Sequence, residues 1–181
     1  VEYDKFFQRD GEYDYILNFT ALKHVRSEKD PFTLMRMIDV NILNTIKTIN
    51  QIKFKGVNKY FSVSTDKATS PINLMGASKR IMELFLFKQN NKVSTSSARF
   101  ANVAFSDGSL LHSFKKRIEK KQPIVAPIKI KRYFITSKES AELCLLSCLF
   151  ANSNETFFPK QNNNLKPILL TEIAVDFLND S

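Results

Sequence analysis

"NKYFSVSTDKATSPINLMGASKRIMELFLFK", residues 58–88, runs from a strand pattern through a polar loop into a helix pattern. Its first seven residues form a short, largely apolar run introduced by Gly56, the pattern of a buried strand. Residues 75–88 carry Ile81, Leu84, Phe85 and Phe87 at spacings that predict a helix. Between the two lies a polar loop with Ser64, Thr65, Asp66 and Lys67 at its start and a proline in its middle. In parallel α/β sheets chemistry sits beyond the carboxyl ends of the strands, and this loop occupies such an end. Met75 and Lys79, four apart on the helix, share a face and point together toward it.

The same alternation continues on both sides. Residues 13–19 read as a buried strand after the turn-like "RDGE". Asp30-Pro31 is a cap followed by a first-turn proline, and Leu34, Met37, Ile38, Ile42, Ile46 and Ile49 recur behind it at helical spacing. Residues 94–105 read as a third strand and residues 109–121 as a helix that stops before Pro123. A short strand at "RYFIT", a helix over 137–150 with a capping-box pattern starting at Ser137, a strand at "ETFFP" and a helix at "TEIAVDFL" complete the chain. Strands alternating with helices of this length predict βαβ units and a parallel sheet.

The chain holds only four glycines, and no Gly-rich turn follows its first strand, although a dinucleotide fold normally opens with one. It also begins at Val1 without an initiating Met. The expectation is a fragment: a Rossmann-type doubly wound parallel sheet lacking its N-terminal βαβ part, with a small C-terminal substrate-binding portion.

Bulk properties narrow the function classes. At 181 residues, 43% apolar and 25% charged, the composition is that of a globular domain. No apolar run reaches the ~18 residues that span a bilayer, and no signal-peptide layout is present, so a soluble cytoplasmic chain without membrane contact is expected. Cys144 and Cys148, at i and i+4 in an apolar run, read as core thiols, and no metal-ligand cluster accompanies them. The net charge of +9 comes from scattered basic residues, with Lys115, Lys116, Arg117, Lys120 and Lys121 on the solvated face of a helix. Aromatics lie inside apolar runs and not between the basic residues, which speaks against a nucleic-acid partner.

"LNFTALKHV", "VNILNTI", "STDKATSPINLMGASKR", "ARFANVAFSDGSLLHSF" and "IKRYFITSKESAELCL" follow one another in the order of a known family. Together they resemble the extended short-chain dehydrogenase/reductase family, and within it the CapD-like nucleotide-sugar 4,6-dehydratases of bacterial surface polysaccharide and nonulosonic-acid biosynthesis. The resemblance implies an NAD or NADP cofactor, UDP-N-acetylglucosamine as substrate, and a homo-oligomer. Some members of the family carry membrane helices ahead of this domain.

The chemistry it implies is oxidation of the sugar C4 hydroxyl by hydride transfer, removal of the C5 hydrogen, loss of the C6 hydroxyl as water, and return of the hydride to C6. In that scheme Asp66 is the acid toward the C6 oxygen and Lys67 the base at C5. Thr65, with Ser64 beside it, matches the active-site hydroxyl, and Lys79 holds the cofactor ribose. Met75 stands where most of the superfamily has Tyr. A thioether is no useful proton acceptor, which leaves Thr65, Asp66 or a water relayed toward Lys79 to deprotonate O4. Some dehydratases of this group share the Met.

On the cofactor side the resemblance places Thr20, Ala21, Lys23, Asn41 and Ser64; His24 reads as an ordinary hydrogen-bonded histidine ahead of an orienting role in the site. On the substrate side it places Asn102, Ser109 and Arg132. The expected organisation is residues 1–104 as the C-terminal part of the NAD(P)-binding domain with the catalytic residues, and residues 105–181 as the substrate-binding portion interleaved with it. The chain alone is expected not to turn over. Two other readings are a nucleotide-sugar epimerase using the same transient ketone, and a non-catalytic sugar-nucleotide-binding or oligomerisation module.

Overall fold

A computed structural model describes residues 2–9, 12–23, 30–52, 55–88, 93–160 and 166–179; His24 and Gly11 lie outside the described residues. The chain divides into two compact units, Val1–Arg99 with Leu143–Phe158, and Phe100–Glu142 with Pro159–Ser181.

The first unit opens with α1 (Glu2–Arg9) and is built on a four-stranded, wholly parallel sheet. Its strands are β1 (Tyr15–Asn18), β2 (Lys59–Val63), β3 (Ser94–Ala98) and β7 (Glu155–Phe157), in the spatial order β1-β2-β3-β7. Tyr15 pairs with Lys59, Lys59 with Ser94 and Ser96 with Glu155, so the carboxyl ends align along one edge. This is the Rossmann-type parallel sheet expected from the alternation.

α2 (Pro31–Ile38) starts as the sequence indicates, with Asp30 accepting from the Thr33 amide at 2.8 Å and Pro31 in the first turn. It does not run straight to residue 52. A π-helical turn, Asp39–Leu43, interrupts it before α3 (Asn44–Ile52). α4 (Leu74–Lys88) packs with α3, and Ile49, Ile52, Val57, Tyr60, Met82, Leu86 and Val93 form the core between these helices and the sheet. Ser96 and Ser97 of β3 interlock with Ser147 of α6 (Ser137–Phe150), each hydroxyl finding a backbone carbonyl at 2.8–3.0 Å, and Lys59 donates to the carbonyls of Leu149 and Ala151. These contacts let a strand of almost pure Ser and Thr lie buried in the sheet.

Several boundaries differ from the sequence expectation, among them the single strand expected over 132–136, which is two, Lys131–Arg132 and Phe134–Ile135, in different sheets. The strand expected over 94–105 ends at Ala98, because the Arg99 amide makes the last ladder bond to Phe157 and the chain then leaves the sheet. The cap of α6 is Thr136 and not Ser137: Thr136 Oγ1 accepts from the Glu139 amide, and the Glu139 carboxylate accepts from the Thr136 amide. A capping box needs its acid three residues on, and only Thr136 meets that spacing.

The second unit holds a parallel pair, β4 (Asn102–Val103) with β6 (Phe134–Ile135), and an antiparallel pair, β5 (Lys131–Arg132) with β8 (Ile168–Leu169). Its helices α5 (Leu110–Glu119) and α7 (Leu170–Asn179) pack around Leu111, Phe114 and Ala174, with Phe114 edge-on to Phe177. Cys144 and Cys148 are buried free thiols, and burial pushes the Cys144 thiol up to about 12. No helix among the described residues is long and apolar enough to cross a membrane.

Candidate active site

At the carboxyl end of β2 the ladder carries on for one residue, with the Ser64 amide bonded to the Ala98 carbonyl at 2.9 Å. The chain then turns. Thr65 is extended (φ −147°, ψ 154°) and caps a short 3₁₀ turn, Asp66–Ala68, by accepting from the Lys67 amide. The Thr65 hydroxyl donates to Asp66 Oδ1 at 2.9 Å, and Lys67 Nζ meets the same oxygen at 3.0 Å. Hydroxyl, carboxylate and amine thus form one contiguous chain at the strand end. The Asp66 and Lys67 side chains remain 46% and 31% exposed, open to a ligand.

α4 is capped by Asn73, whose side chain accepts from the Gly76 amide at 2.9 Å. Gly76 allows the close approach: a Cβ there would lie 2.8 Å from the Lys67 carbonyl oxygen. Behind Gly76 the helix presents Met75, Lys79 and Glu83 on one stripe, all three buried. Lys79 reaches the strand end as its spacing indicates and donates to the Val63 carbonyl at 3.0 Å. Burial pushes its ammonium down to about 8, against a smaller upward pull from Glu83.

Asn41 lies in the π-helical turn, almost fully buried. Its side chain accepts from the Leu22 amide at 2.8 Å and donates to the Leu22 carbonyl and to Ser78 Oγ, both at 2.9 Å. It therefore ties the loop after β1, which holds Thr20, Ala21 and Lys23, to the residue preceding Lys79. Thr20, Ala21 and Lys23 are exposed, and the Thr20 amide is held by Asn18 Oδ1 at 3.0 Å. The extra residue of a π-turn redirects a side chain locally, and such turns recur at functional sites.

Ser64 behaves unlike its neighbour. Its hydroxyl is buried and donates to Glu83 Oε1 at 2.6 Å. Glu83 also takes two bonds from Arg99, one of them from Nε at 2.8 Å, and a longer one from Arg80. Burial works against the Glu83 charge, but the hydrogen bonds from Arg99 and Ser64 outweigh it and hold the carboxyl below the ordinary range. Glu83, Arg99, Gly76 and Ser78 were absent from the sequence reading. The available signal was a carboxylate four residues beyond Lys79 on a helix stripe otherwise made of buried residues.

In the second unit Asn102 donates to the Tyr133 carbonyl at 3.1 Å, Ser109 caps α5 by accepting from the His112 amide, and Arg132 is exposed on β5 opposite Ile168. Among the described residues no cluster of His, Cys, Asp or Glu has the makings of a metal site.

Residues 3–179 match the family model described as "Polysaccharide biosynthesis protein". The chain is 34% identical to the capsular polysaccharide biosynthesis protein CapD of Staphylococcus aureus over 168 residues, covering 90% of this chain and 27% of that protein. It is 30% identical over 157 residues to the inverting UDP-N-acetylglucosamine 4,6-dehydratase of Campylobacter jejuni, covering 82% of this chain and 46% of the relative. The X-ray structure of Pen from Bacillus thuringiensis superposes with a TM-score of 0.87 at 26% identity, over 98% of this chain and 55% of that one. The chain thus spans about half or less of the proteins it is similar to.

Proposed function

We propose that this chain, which belongs to the polysaccharide biosynthesis protein family and with it to the dehydratase group of the extended short-chain dehydrogenases/reductases, is the catalytic part of a nucleotide-sugar 4,6-dehydratase acting on UDP-N-acetylglucosamine. The observation that carries the reading is the Thr65–Asp66–Lys67 chain, half-open at the strand end with buried Lys79 behind it.

The donor set suits a dinucleotide: a desolvated ammonium at Lys79, and a loop with Thr20, Ala21 and Lys23 fixed by Asn41. NAD or NADP, when bound, supplies the reversible oxidant that makes a ketone at sugar C4. Lys79 and the loop would hold its ribose side, and Asn102, Ser109 and Arg132 would serve the nucleotide sugar. The guanidinium of Arg132 suits paired diphosphate oxygens.

The protons balance within the three residues. The sugar O4 proton passes to the Thr65 hydroxyl as Thr65 hands its own to Asp66, already in contact at 2.9 Å. This relay does the work that a thioether at Met75 does not. The ketone acidifies C5, and Lys67, taking part as the amine left once its ammonium has released a proton to solvent before the cycle, removes that hydrogen. Asp66, now protonated, gives its proton to the departing C6 oxygen, and water leaves. A proton returns from Lys67 to C5 once C6 has been reduced. Asp66 and Lys67 end as they began, so the cycle draws on no outside acid or base.

The test is product mass. The full-length gene product, given UDP-N-acetylglucosamine and NAD or NADP, is expected to yield a nucleotide sugar lighter by one water. A product of unchanged mass indicates an epimerase. Binding of UDP without turnover of any nucleotide sugar indicates a non-catalytic module.

A further inference from the structure

The proton-transfer residues are the exposed part of a larger arrangement. Directly behind them Glu83 is wholly buried and accepts from four donors on three elements: Arg80 on its own helix, Ser64 beyond β2, and two nitrogens of Arg99 beyond β3. Arg99 reaches further, donating from Nη1 to Thr69 Oγ1 at 3.3 Å, just past the 3₁₀ turn. The turn bearing Asp66 and Lys67 is therefore held at both ends: at Ser64 by Glu83 directly, and at Thr69 by Arg99. The carboxylate that does this lies on the same stripe of α4 as Lys79, one helical turn further on. A full charge taken out of water is costly unless bidentate geometry and further hydrogen bonds compensate it, and this pair has both.

We propose that Glu83 and Arg99 form a buried clamp that fixes the Thr65–Asp66–Lys67 turn against Lys79, making them positioning residues for the dehydration. The inference rests on the dehydratase reading. It asks of the pair only that it set distances between groups that touch substrate and cofactor. A displacement of about 1 Å in such groups costs on the order of 100-fold in rate.

The experiment uses the full-length gene product and two readouts. The first is hydrogen–deuterium exchange of the segment 64–70; the second is steady-state kinetics. Glu83→Gln and Arg99→Met are expected to raise exchange of that segment about tenfold or more. They should also lower kcat by about 100-fold with KM for the nucleotide sugar changed by less than about threefold. Arg99→Lys keeps the charge without the fork and should not restore kcat.

Because the clamp variants risk failing to fold, Ser64→Ala and Thr69→Val each remove one tether and leave the ion pair intact. They should show the same direction at roughly tenfold in kcat, with the far-ultraviolet spectrum unchanged. Folded variants with wild-type exchange and wild-type kcat overturn the clamp. Faster exchange with unchanged kcat overturns its positioning role. If the wild type turns over no nucleotide sugar, the dehydratase reading has failed and the positioning role falls with it, whereas the exchange data still report whether the tethers exist.

Discussion

On the open side of the β2 end, Asp66 and Lys67 meet at 3.0 Å with much of each side chain in solvent; on the buried side, Glu83 sits at zero exposure between Arg99, Arg80 and Ser64. Both are carboxylate–cation pairs, yet their physics differs. The exposed pair is solvated and screened, contributes little to stability, and keeps its groups free to exchange protons. In the inner pair Glu83 has given up its hydration and is satisfied by Arg99, Arg80 and Ser64 together, so removing Arg99 leaves a buried carboxylate without its bidentate partner. Under the proposed function this is a division of labour: the groups assigned to react stay where ligand and water reach them, and the groups assigned to hold them in place are sequestered.

Disabling each side in turn separates the two roles. Asp66→Asn and Lys67→Met should each lower turnover by about 10²–10⁴-fold. Their melting temperatures should move by less than about 4 °C, as expected for an exposed pair. A large loss of stability in either variant would erase the distinction. Glu83→Ala, measured by urea unfolding, should cost about 3–5 kcal/mol; a cost near that of a surface substitution would place Glu83 outside any clamp.

Lys79 combines both sides, buried like Glu83 yet reaching the end of β2 at the Val63 carbonyl. Its native value near 8 lies below the unfolded value of 10.5. Between those two values the unfolded chain binds more protons than the native one, so stability rises with pH across that window. The gain is on the order of 3 kcal/mol. Wild type should show this rise in denaturant titrations over that range and Lys79→Met should not, while losing cofactor binding. Gly76→Ala has the smallest effect, about 1–3 kcal/mol from overpacking. The added methyl presses on the Lys67 carbonyl, so turnover should fall by more than the stability loss explains; an unchanged kcat would show that the turn tolerates displacement.

Local patterns made much of the fold legible. The Asp30-Pro31 start, the strand over 59–63 and the i, i+4 placement of Met75 and Lys79 all follow from short-range rules, and the structure contains each of them. What escaped was set by distant partners. The π-helical turn at Asn41 exists where the loop at Leu22 and Ser78 converge on one side chain. The strand expected to continue to residue 105 stops at Ala98, where Arg99 turns toward Glu83 on another element. Ser64 and Thr65 look interchangeable in sequence, yet one hydroxyl faces the interior and the other the turn. The capping residue of α6 was a matter of counting: Glu139 is three beyond Thr136, not Ser137.

The central claim is that Lys67 removes the C5 proton while Asp66 separately delivers one to the C6 oxygen. Solvent-deuterium exchange into recovered UDP-N-acetylglucosamine or its 4-keto form tests it directly. Asp66→Asn loses the O4 relay together with the C6 acid, so it is supplied with the 4-keto form of the substrate, whose C5 should take up deuterium through Lys67 while no water is lost. In Lys67→Met no deuterium should enter. Exchange that persists in Lys67→Met, or is absent from Asp66→Asn supplied with the 4-keto substrate, would contradict the assignment.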